Sequence, residues 1–283
     1  MDKKQSANKG NLEFLLQYLA CPADGISDLR IIRNADDQAI ALRSQNREYP
    51  VIDNIPNMMP GNEVKLDPAW RKWEALLGKW IKAFSSQTGP ELSEERDPVA
   101  GYIAGIIASS EVPLILDIGC GTTAWTPYME ACGEEVSWIG IDPLIGHQTR
   151  RYPFVQGIGE YLPFRSSVFN ATLYSLVLSN MLDPHLSMQQ AHRVMKPSGK
   201  LYIRYFTARI DPRYLIWKML NSLGILWPYN QFYRWVFTNQ SLQHLLRGTG
   251  FELAERVLLC DVCPISQQCP DAGSEYFVTG RRV

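Results

Sequence analysis

Two glycines that follow a predicted buried strand give the strongest chemical signal in this chain. The segment LILDIGCGTTAW is an apolar run that reaches Asp117 and is then followed by Gly119, Cys120 and Gly121. Glycine permits a tight turn and lets a ligand come close to the main chain. The pattern therefore predicts a binding site at the end of this strand.

A carboxylate follows the next predicted strand, at Asp142 in the stretch WIGID. Ligands of open α/β sheets lie outside the carboxyl ends of the strands, where this carboxylate can accept hydrogen bonds from two ribose hydroxyls. Gly119, Gly121 and Ala124 also fit the dinucleotide pattern GxGxxG/A. Asp117, however, would repel a pyrophosphate and suits an ammonium group. A cofactor that contains a nucleoside is predicted. It is either a dinucleotide, which the glycine pattern fits, or a nucleoside that carries an ammonium group, which Asp117 suits.

The elements that position these residues alternate between strand and helix from Val112 onward. Strands are predicted at Leu114–Ile118, Ser137–Ile141, Phe154–Gln156, Ala171–Leu176 and Lys200–Phe206. Such alternation is typical of a mostly parallel sheet with helices on both faces.

Three blocks of the sequence together resemble the class I S-adenosylmethionine-dependent methyltransferases of the small-molecule type. The family reads roughly LDxGCGxG, AExLPFxDxxFDxV and RVLKPGGxLxI, and this chain has LDIGCGTT, GEYLPFRSSVFNAT and RVMKPSGKLYI. The resemblance implies a Rossmann-like, seven-stranded fold and S-adenosylmethionine as cofactor, with S-adenosylhomocysteine as product and no metal. Thr123, Asn170, Asn180 and Ser198 depart from common family residues without removing the expected cofactor contacts.

The resemblance also implies a set of cofactor-binding residues. Asp117, Gly119 and Gly121 would line the methionine end, and Asp142 would hold the ribose. The remaining members of the set are Cys120 in the glycine loop, Pro143 and Leu144 beside the adenine, Gly159, Glu160 and Tyr161 at its other edge, and Leu178 near the transferable methyl. We expect the side chain of Cys120 to pack rather than react.

A hydroxyl acceptor would need a general base, and histidine is the usual one. His185, in LDPHLS after the fourth predicted strand, is the predicted catalytic residue because it follows the strand end nearest the expected methyl. The alternative is a helix-start residue that faces solvent. His147 is a second candidate base. A carboxylic acid or soft nucleophile as acceptor would need no base.

The insertion 207–238 is predicted to supply the acceptor pocket. It contains eight aromatic residues, Tyr214, Trp217, Trp227, Tyr229, Phe232, Tyr233, Trp235 and Phe237. One interpretation is an aromatic lid over an apolar or planar small molecule. The alternatives are an extra helical pair packed on the sheet, and a patch that faces a membrane surface or a partner.

The first sixty residues resemble a small zinc-ribbon-like domain that activates some methyltransferases. The similarity lies in LLQYLACP and YPVIDNIPNMMP, with strands predicted at Leu29–Ile32 and Ala39–Ser44. Only Cys21 of the expected metal ligands is present, and Asp24 replaces the second cysteine. We therefore predict a metal-free domain over 10–60, after a disordered tail 1–9.

A helical connector is predicted over 61–95, before the methyltransferase domain 96–283. Its helix Asp67–Phe84 has tryptophans at helical spacing, which indicate either packing under a domain interface or a lid over a ligand. Near the carboxyl terminus, Cys260, Cys263 and Cys269 are interpreted as ordinary thiols, with a metal site as the alternative because no fourth ligand is evident.

Composition narrows the function classes. The 283 residues carry 28 basic and 29 acidic side chains, a net charge of -1, which does not indicate a nucleic-acid-binding protein. No secretory signal or transmembrane segment is evident, and uneven cysteines favour a reducing cytoplasm. The sequence predicts a methyltransferase for a small hydrophobic or aromatic acceptor. An RNA methyltransferase and a non-catalytic scaffold are the alternatives, and the oligomeric state stays open.

Overall fold

The chain folds into two sheets, which we describe from a computed structural model. The described residues are 11–61, 68–85, 98–110, 112–133, 136–146, 150–208, 212–223, 225, 234–262 and 274–283. Several predictions fall outside them, namely those for the tail 1–9, His147, Trp227, Tyr229, Phe232, Tyr233, Cys263 and Cys269.

The amino-terminal unit is a short helix followed by a small antiparallel sheet. Residues 11–16 are helical (α1). The four strands lie in the order β1-β2-β3-β4. They are β1 (Arg30–Arg33), β2 (Ala39–Arg43), β3 (Glu48–Ile52) and β4 (Ile55–Pro56). The first two agree with the predicted strands to within one residue at either end.

The larger sheet has seven strands in the order β10-β11-β9-β8-β5-β6-β7. They are β5 (Leu114–Ile118), β6 (Ser137–Asp142), β7 (Phe154–Gln156), β8 (Phe169–Ser175), β9 (Met195–Phe206), β10 (Phe251–Leu258) and β11 (Glu275–Arg282). Strands β5 to β9 pair in parallel, whereas β11 pairs antiparallel with both β9 and β10. The predicted fold, a mostly parallel Rossmann-like sheet with a small preceding domain, is confirmed.

Helices connect and cover these strands. They are α2 (Pro68–Ser85), α3 (Pro98–Ala108), α4 (Pro127–Cys132), α5 (Pro184–Val194), α6 (Pro212–Ser222), α7 (Asn239–Gly248) and α8 (Leu259–Val262), with 3-10 turns at Gly159–Tyr161 and Leu178–Asn180. None of these described helices is long and apolar enough to cross a membrane.

Strand β8 ends one residue before its predicted end. The φ angle of Leu176 is +56°, which lies in the left-handed region and stops the extended backbone. Strand β9 in turn begins at Met195, ahead of the predicted Lys200, because Phe169 of β8 already pairs with Met195.

The amino-terminal unit covers the edge of the large sheet. The N–H of Met58 donates to the carbonyl of Gln156 in the edge strand β7 at 2.8 Å, and the N–H of Ala20 donates to the carbonyl of Pro163 at 3.0 Å. The guanidinium of Arg165 donates to the carbonyl of Leu19 at 3.2 Å. An exposed edge strand is a site for unwanted pairing, so this contact protects β7.

Candidate functional site

The loop after β5 is shaped by two glycines in left-handed backbone conformations. Gly119 has φ +76° and Gly121 has φ +72°. A Cβ atom at Gly119 would lie 2.2 Å from Cγ2 of Val177, whereas a Cβ atom at Gly121 would meet nothing within 4 Å. Gly119 is therefore required by packing, and Gly121 leaves open space in front of the main chain.

The carboxylate of Asp142, at the end of β6, is held by two main-chain donors. Its Oδ2 accepts from the N–H of Gly121 and its Oδ1 from the N–H of Leu144, both at 2.8 Å. Burial raises the pKa of Asp142, and these two hydrogen bonds oppose that increase. The orientation of the carboxylate is thus fixed by the loops on both sides.

Asp117 is fully buried inside β5 with one oxygen unpartnered. Its Oδ2 accepts from the Tyr128 hydroxyl at 2.7 Å, and its Oδ1 has no hydrogen-bond partner among the described residues. Burial raises the pKa of Asp117 to about 7, although the Tyr128 hydroxyl opposes this increase. Asp117 does not line the cavity described next, in contrast to the prediction that it lines the methionine end.

A cavity of about 330 Å³ lies at the carboxyl ends of β5, β6 and β8. Four polar side chains line it, and the rest of the wall is apolar or glycine. The lining residues are Trp73, Leu77, Gly119, Gly121, Ile141, Asp142, Pro143, Leu144, Gly157, Ile158, Gly159, Glu160, Ser175, Leu176, Val177, Asn180 and Met181. The structure therefore brings together seven of the predicted cofactor residues, namely Gly119, Gly121, Asp142, Pro143, Leu144, Gly159 and Glu160.

Helix α2 supplies part of this wall. Trp73 and Leu77 line the cavity, and Trp73 Nε1 donates to the carbonyl of Asn180 at 3.1 Å. Trp70 and Trp73 are also buried, in an apolar cluster with Ile158. Trp73 therefore both packs in an apolar cluster and lines the cavity, so the two interpretations of the connector helix do not exclude each other.

The wall after β8 differs from the prediction by one or two residues. Leu178 is only 1% exposed, in the core, and does not line the cavity. The left-handed conformation of Leu176 redirects the chain, so that Leu176 and Val177 face the cavity. Leu176 and Val177 thus line the cavity where Leu178 was expected, and the contact of Leu178 with the cofactor stays a prediction.

Asn180 places an unpartnered amide oxygen at the cavity. Its Oδ1 is buried and finds no hydrogen-bond partner in the part of the chain that the structure describes. The main chain around it is fixed by two tryptophans, because Trp73 Nε1 binds the carbonyl of Asn180 and Trp235 Nε1 donates to the carbonyl of Met181 at 2.9 Å. A buried amide oxygen without a donor costs free energy, so this atom is suited to accept a hydrogen bond from a ligand.

His185 lies away from the cavity. It is exposed at the start of α5, and its Nε2 lies 3.8 Å from where a Cβ atom at Gly248 would be. Helix α5 is capped by the Asp183 carboxylate, which accepts from the N–H of His185 at 2.9 Å. His185 thus takes the alternative position of a helix-start residue that faces solvent, and its catalytic role stays a prediction.

Glu160 links this helix start to the cavity. Its Oε1 accepts from the N–H of Asp183 at 3.0 Å, and burial raises its pKa to about 7. The neighbouring Tyr161 does not line the cavity and packs against the cluster that holds Trp70 and Trp73. Tyr161 is thus placed behind the wall rather than on it.

Arg150 is a positioning residue that the sequence did not reveal. Its guanidinium donates to the carbonyl of Gly121 at 2.6 Å and to those of Leu144 and Ile145, both at 3.1 Å. It also lies 3.7 Å from the centre of the Phe154 ring. One buried cation therefore ties the loop after β5 to the loop after β6. In the sequence it is one of two adjacent arginines, and no local pattern separates Arg150 from Arg151.

The cysteines of the described residues are single thiols. Cys120 is buried beside Arg150, with its Sγ 3.8 Å from Nη1, and burial raises its pKa. Cys21 lies 3.1 Å from the Tyr49 hydroxyl, and Cys260 is half-buried. In the part of the chain that the structure describes, no three His, Cys, Asp or Glu side chains form a group that could hold a metal.

Comparison with known proteins gives a family match over most of the large sheet. The family described as "Methyltransferase domain" matches residues 70–256, more than half of the chain. A demethylmenaquinone methyltransferase of Paenarthrobacter aurescens is 31% identical over 110 residues, which are 38% of this chain and 42% of that protein. One from Renibacterium salmoninarum is 34% identical over 100 residues, 33% of this chain and 41% of that protein. The match thus spans less than half the length of these relatives.

A solved structure supports the same fold. The 1,6-didemethyltoxoflavin-N1-methyltransferase of Burkholderia thailandensis, solved with bound 1,6-didemethyltoxoflavin and S-adenosylhomocysteine, aligns with a TM-score of 0.56. The alignment covers 85% of this chain and 97% of that one, at 15% identity. At this identity the similarity establishes the fold and nothing finer.

Proposed function

We propose that this chain, which belongs to the methyltransferase domain family and is an S-adenosylmethionine-dependent methyltransferase, methylates a small hydrophobic or aromatic acceptor. One observation supports this proposal above the others. A mostly apolar cavity opens at the carboxyl ends of β5, β6 and β8, with the fixed Asp142 carboxylate and the Trp73 side chain in its wall.

The residues present fit the cofactor. Gly121 leaves room in front of its main chain, and the Oδ1 atom of Asp117 is a buried carboxylate oxygen that lacks a partner. We propose that Asp117 interacts with the ammonium end of S-adenosylmethionine from beneath the loop, and that Asp142 binds the ribose between Pro143 and Gly121. When bound, this cofactor supplies a methyl group on a positively charged sulfur.

The acceptor is placed beside Val177 and Asn180. The apolar side chains of Trp73, Leu77 and Met181 suit a hydrophobic or aromatic body, and the Asn180 amide oxygen can accept from one N–H or O–H of it. The chain thereby orients the acceptor and excludes water, which is the main contribution a protein makes when the cofactor carries the activated group.

The described cavity wall offers no carboxylate that is free of main-chain hydrogen bonds. Its titratable side chains are Asp142 and Glu160, and each already accepts main-chain N–H groups. We therefore propose an acceptor whose attacking atom is nucleophilic without deprotonation by the protein. Demethylmenaquinone, named for the relatives, is the first compound to test, in its reduced quinol form because an oxidised quinone ring is not nucleophilic, and the ring proton that the methyl group replaces would leave to solvent. Smaller aromatic molecules follow.

For the amino-terminal unit we propose a metal-free, ribbon-like domain that protects the sheet edge. Two observations support it: Cys21 is buried against Tyr49, and the main chain of Met58 pairs with β7. A zinc assay on the purified full chain tests this proposal, and stoichiometric zinc that survives dialysis would contradict it.

Calorimetric titration with S-adenosylmethionine and S-adenosylhomocysteine tests the central proposal, with NAD as the control ligand. Both sulfur ligands should bind, and Asp142→Ala should weaken binding by about a hundredfold, since two main-chain anchors and the ribose acceptor are lost. Binding of NAD alone, or unchanged affinity in Asp142→Ala, would show that the cavity is assigned to the wrong ligand. Transfer of a radiolabelled methyl group to the acceptors then identifies the product.

A further inference from the structure

Helix α6, within the insertion 207–238, exposes an apolar face. Leu215, Ile216 and Met219 are 57%, 55% and 55% exposed, and Leu223 just after the helix is 68% exposed. Exposed apolar side chains are normal when single, but a contiguous group marks an interaction site.

These side chains form one stripe. With 3.6 residues per turn, Leu215, Met219, Leu223 and Ile216 fall within an arc of about 100°. Lys218 projects about 60° beyond one border of this arc and Arg213 about 60° beyond the other. The helix Pro212–Ser222 contains no acidic residue. A strip of apolar side chains with a cation on either side is typical of a helix that lies in a membrane interface.

The opposite face of α6 reaches toward the cavity. Tyr214 is buried and stacks on Trp217 with ring centres 6.0 Å apart. Trp217 contacts Trp235 edge to face at 6.4 Å, and Trp235 Nε1 donates to the carbonyl of Met181, which lines the cavity. The exposed face and the proposed acceptor site are thus connected by three aromatic side chains.

We propose that α6 docks this protein on the surface of an anionic lipid bilayer, with Leu215, Ile216, Met219 and Leu223 in the acyl boundary. The inference rests on the proposed function, because a hydrophobic acceptor resides in the bilayer and would enter the cavity next to this helix. Lys218, at one border of the apolar stripe, would complement anionic headgroups.

A lipid surface explains this face better than a protein partner does. A stable protein interface buries about 800 Å² on each side and is often depleted of lysine. One helix of 11 residues with a few half-exposed side chains provides less than that. Insertion into an interface needs only one amphipathic helix, so the size of the patch fits the lipid surface.

Flotation of the full-length protein with vesicles tests the proposal. Vesicles of phosphatidylcholine with phosphatidylglycerol should carry the protein, and pure phosphatidylcholine should carry less. The double variant Leu215→Gln/Ile216→Gln should float about tenfold less. The matched control is Ile40→Gln/Ile52→Gln, since Ile40 and Ile52 are 46% and 55% exposed on the amino-terminal unit. This control should float like the wild type.

Equal flotation of the two double variants would overturn the proposal, as would a wild-type protein that does not float. Sedimentation without lipid tests for a second copy of the chain. If the wild type is a dimer and Leu215→Gln/Ile216→Gln is a monomer, the face is a dimer interface instead. S-adenosylmethionine titration of the same samples separates the two proposals. Flotation without cofactor binding would support the docking face and refute the proposed function. Cofactor binding without flotation would support the proposed function and refute the docking face.

Discussion

The N–H of Gly121 donates to Oδ2 of Asp142 at 2.8 Å, so the loop after β5 and the end of β6 are joined at the cavity. Two neighbouring parallel strands end here, and each contributes one half of the contact. The carboxylate is therefore oriented before any ligand binds, and the main chain of Gly121 is held where a cofactor would pass. Loss of this preorganisation should appear as loss of affinity rather than of folding.

Arg150 should hold the loops that carry Gly121 and Asp142 in place through its hydrogen bonds to their carbonyl groups. Arg150→Lys keeps the charge but cannot reach the carbonyls of Gly121 and Leu144 at once, because an ammonium lacks the planar fork of a guanidinium. We expect the dissociation constant for S-adenosylmethionine to rise about tenfold or more, and calorimetry measures it. Arg151→Lys is the matched control, since Arg151 is exposed, and should leave affinity unchanged. Equal effects of both variants would contradict the positioning role.

Alanine at the two loop glycines should have different consequences. Gly119→Ala brings a Cβ atom to 2.2 Å from Val177 and should lower the free energy of unfolding by about 3 kcal/mol, by overpacking and backbone strain together. Gly121→Ala meets no neighbour and should cost about 1 kcal/mol from its positive φ alone. We expect Gly121→Ala nevertheless to abolish cofactor binding. Chemical denaturation and calorimetry on both variants give the comparison.

A double variant tests the cause of the larger loss. Val177→Ala removes the atoms that the new methyl group would strike, so Gly119→Ala/Val177→Ala should recover part of the stability lost in Gly119→Ala. If the double variant instead loses as much unfolding free energy as Gly119→Ala and Val177→Ala lose together, backbone strain at residue 119 alone is responsible.

The part of the cavity wall at the strand ends was predictable because its signals are local in the chain. Gly119, Gly121 and Asp142 each follow a strand that its apolar run identifies, and parallel strands bring such ends together. Nothing in the sequence near Asn180 indicates that Trp73, 107 positions away, binds its carbonyl. Arg150 was missed for the same reason, since its role depends on carbonyls of two loops.

Other differences between the predicted and the observed cavity wall follow from a change in the direction of the main chain at a single residue. The pattern after β8 placed Leu178 at the cavity and His185 near the methyl. The left-handed Leu176, a conformation that costs a non-glycine residue about 1 kcal/mol or more, turns the chain there. No propensity rule indicates a leucine for such a position, so the correct wall residues could only be seen in three dimensions.

Asp117 should make cofactor binding depend on pH. Its pKa in the unliganded protein is raised to about 7, so below pH 7 it is mostly protonated and cannot pair with an ammonium. Affinity for S-adenosylmethionine should therefore fall by up to about tenfold per pH unit below pH 7 and level off above it. Titrations between pH 6 and 8 measure this slope. Asp117→Asn should bind weakly at every pH, and a slope that persists in it would point to another group.

The same carboxylate should destabilise the unliganded fold as the pH rises. The pKa of Asp117 in the folded protein lies above the ordinary aspartate value of 3.8. The folded state therefore holds an extra proton between about pH 4 and 7, and the stability that this proton provides is lost as the pH rises through that window. Asp117→Asn should therefore raise the unfolding free energy at pH 8 by about 2 kcal/mol, with little change near pH 4. Denaturation at both pH values checks the sign, and a loss of stability at pH 8 would contradict it.

Asn180→Leu should separate acceptor recognition from cofactor binding. The substitution keeps the volume of the side chain and the carbonyl that Trp73 binds, but removes the amide that we propose to orient the acceptor. One hydrogen bond contributes about 1 kcal/mol, so kcat/KM for the acceptor should fall about five- to tenfold while the dissociation constant for S-adenosylmethionine stays within about twofold. Folding stability should not fall, because a buried oxygen without a partner is removed. Ser179→Ala is the control, since Ser179 is not among the lining residues and the hydrogen bonds it makes within the described residues use its main-chain carbonyl, which accepts from the N–H groups of Arg234 and Trp235. If cofactor affinity falls as far as kcat/KM in Asn180→Leu, the amide faces the cofactor, and the acceptor must be oriented by the apolar wall alone.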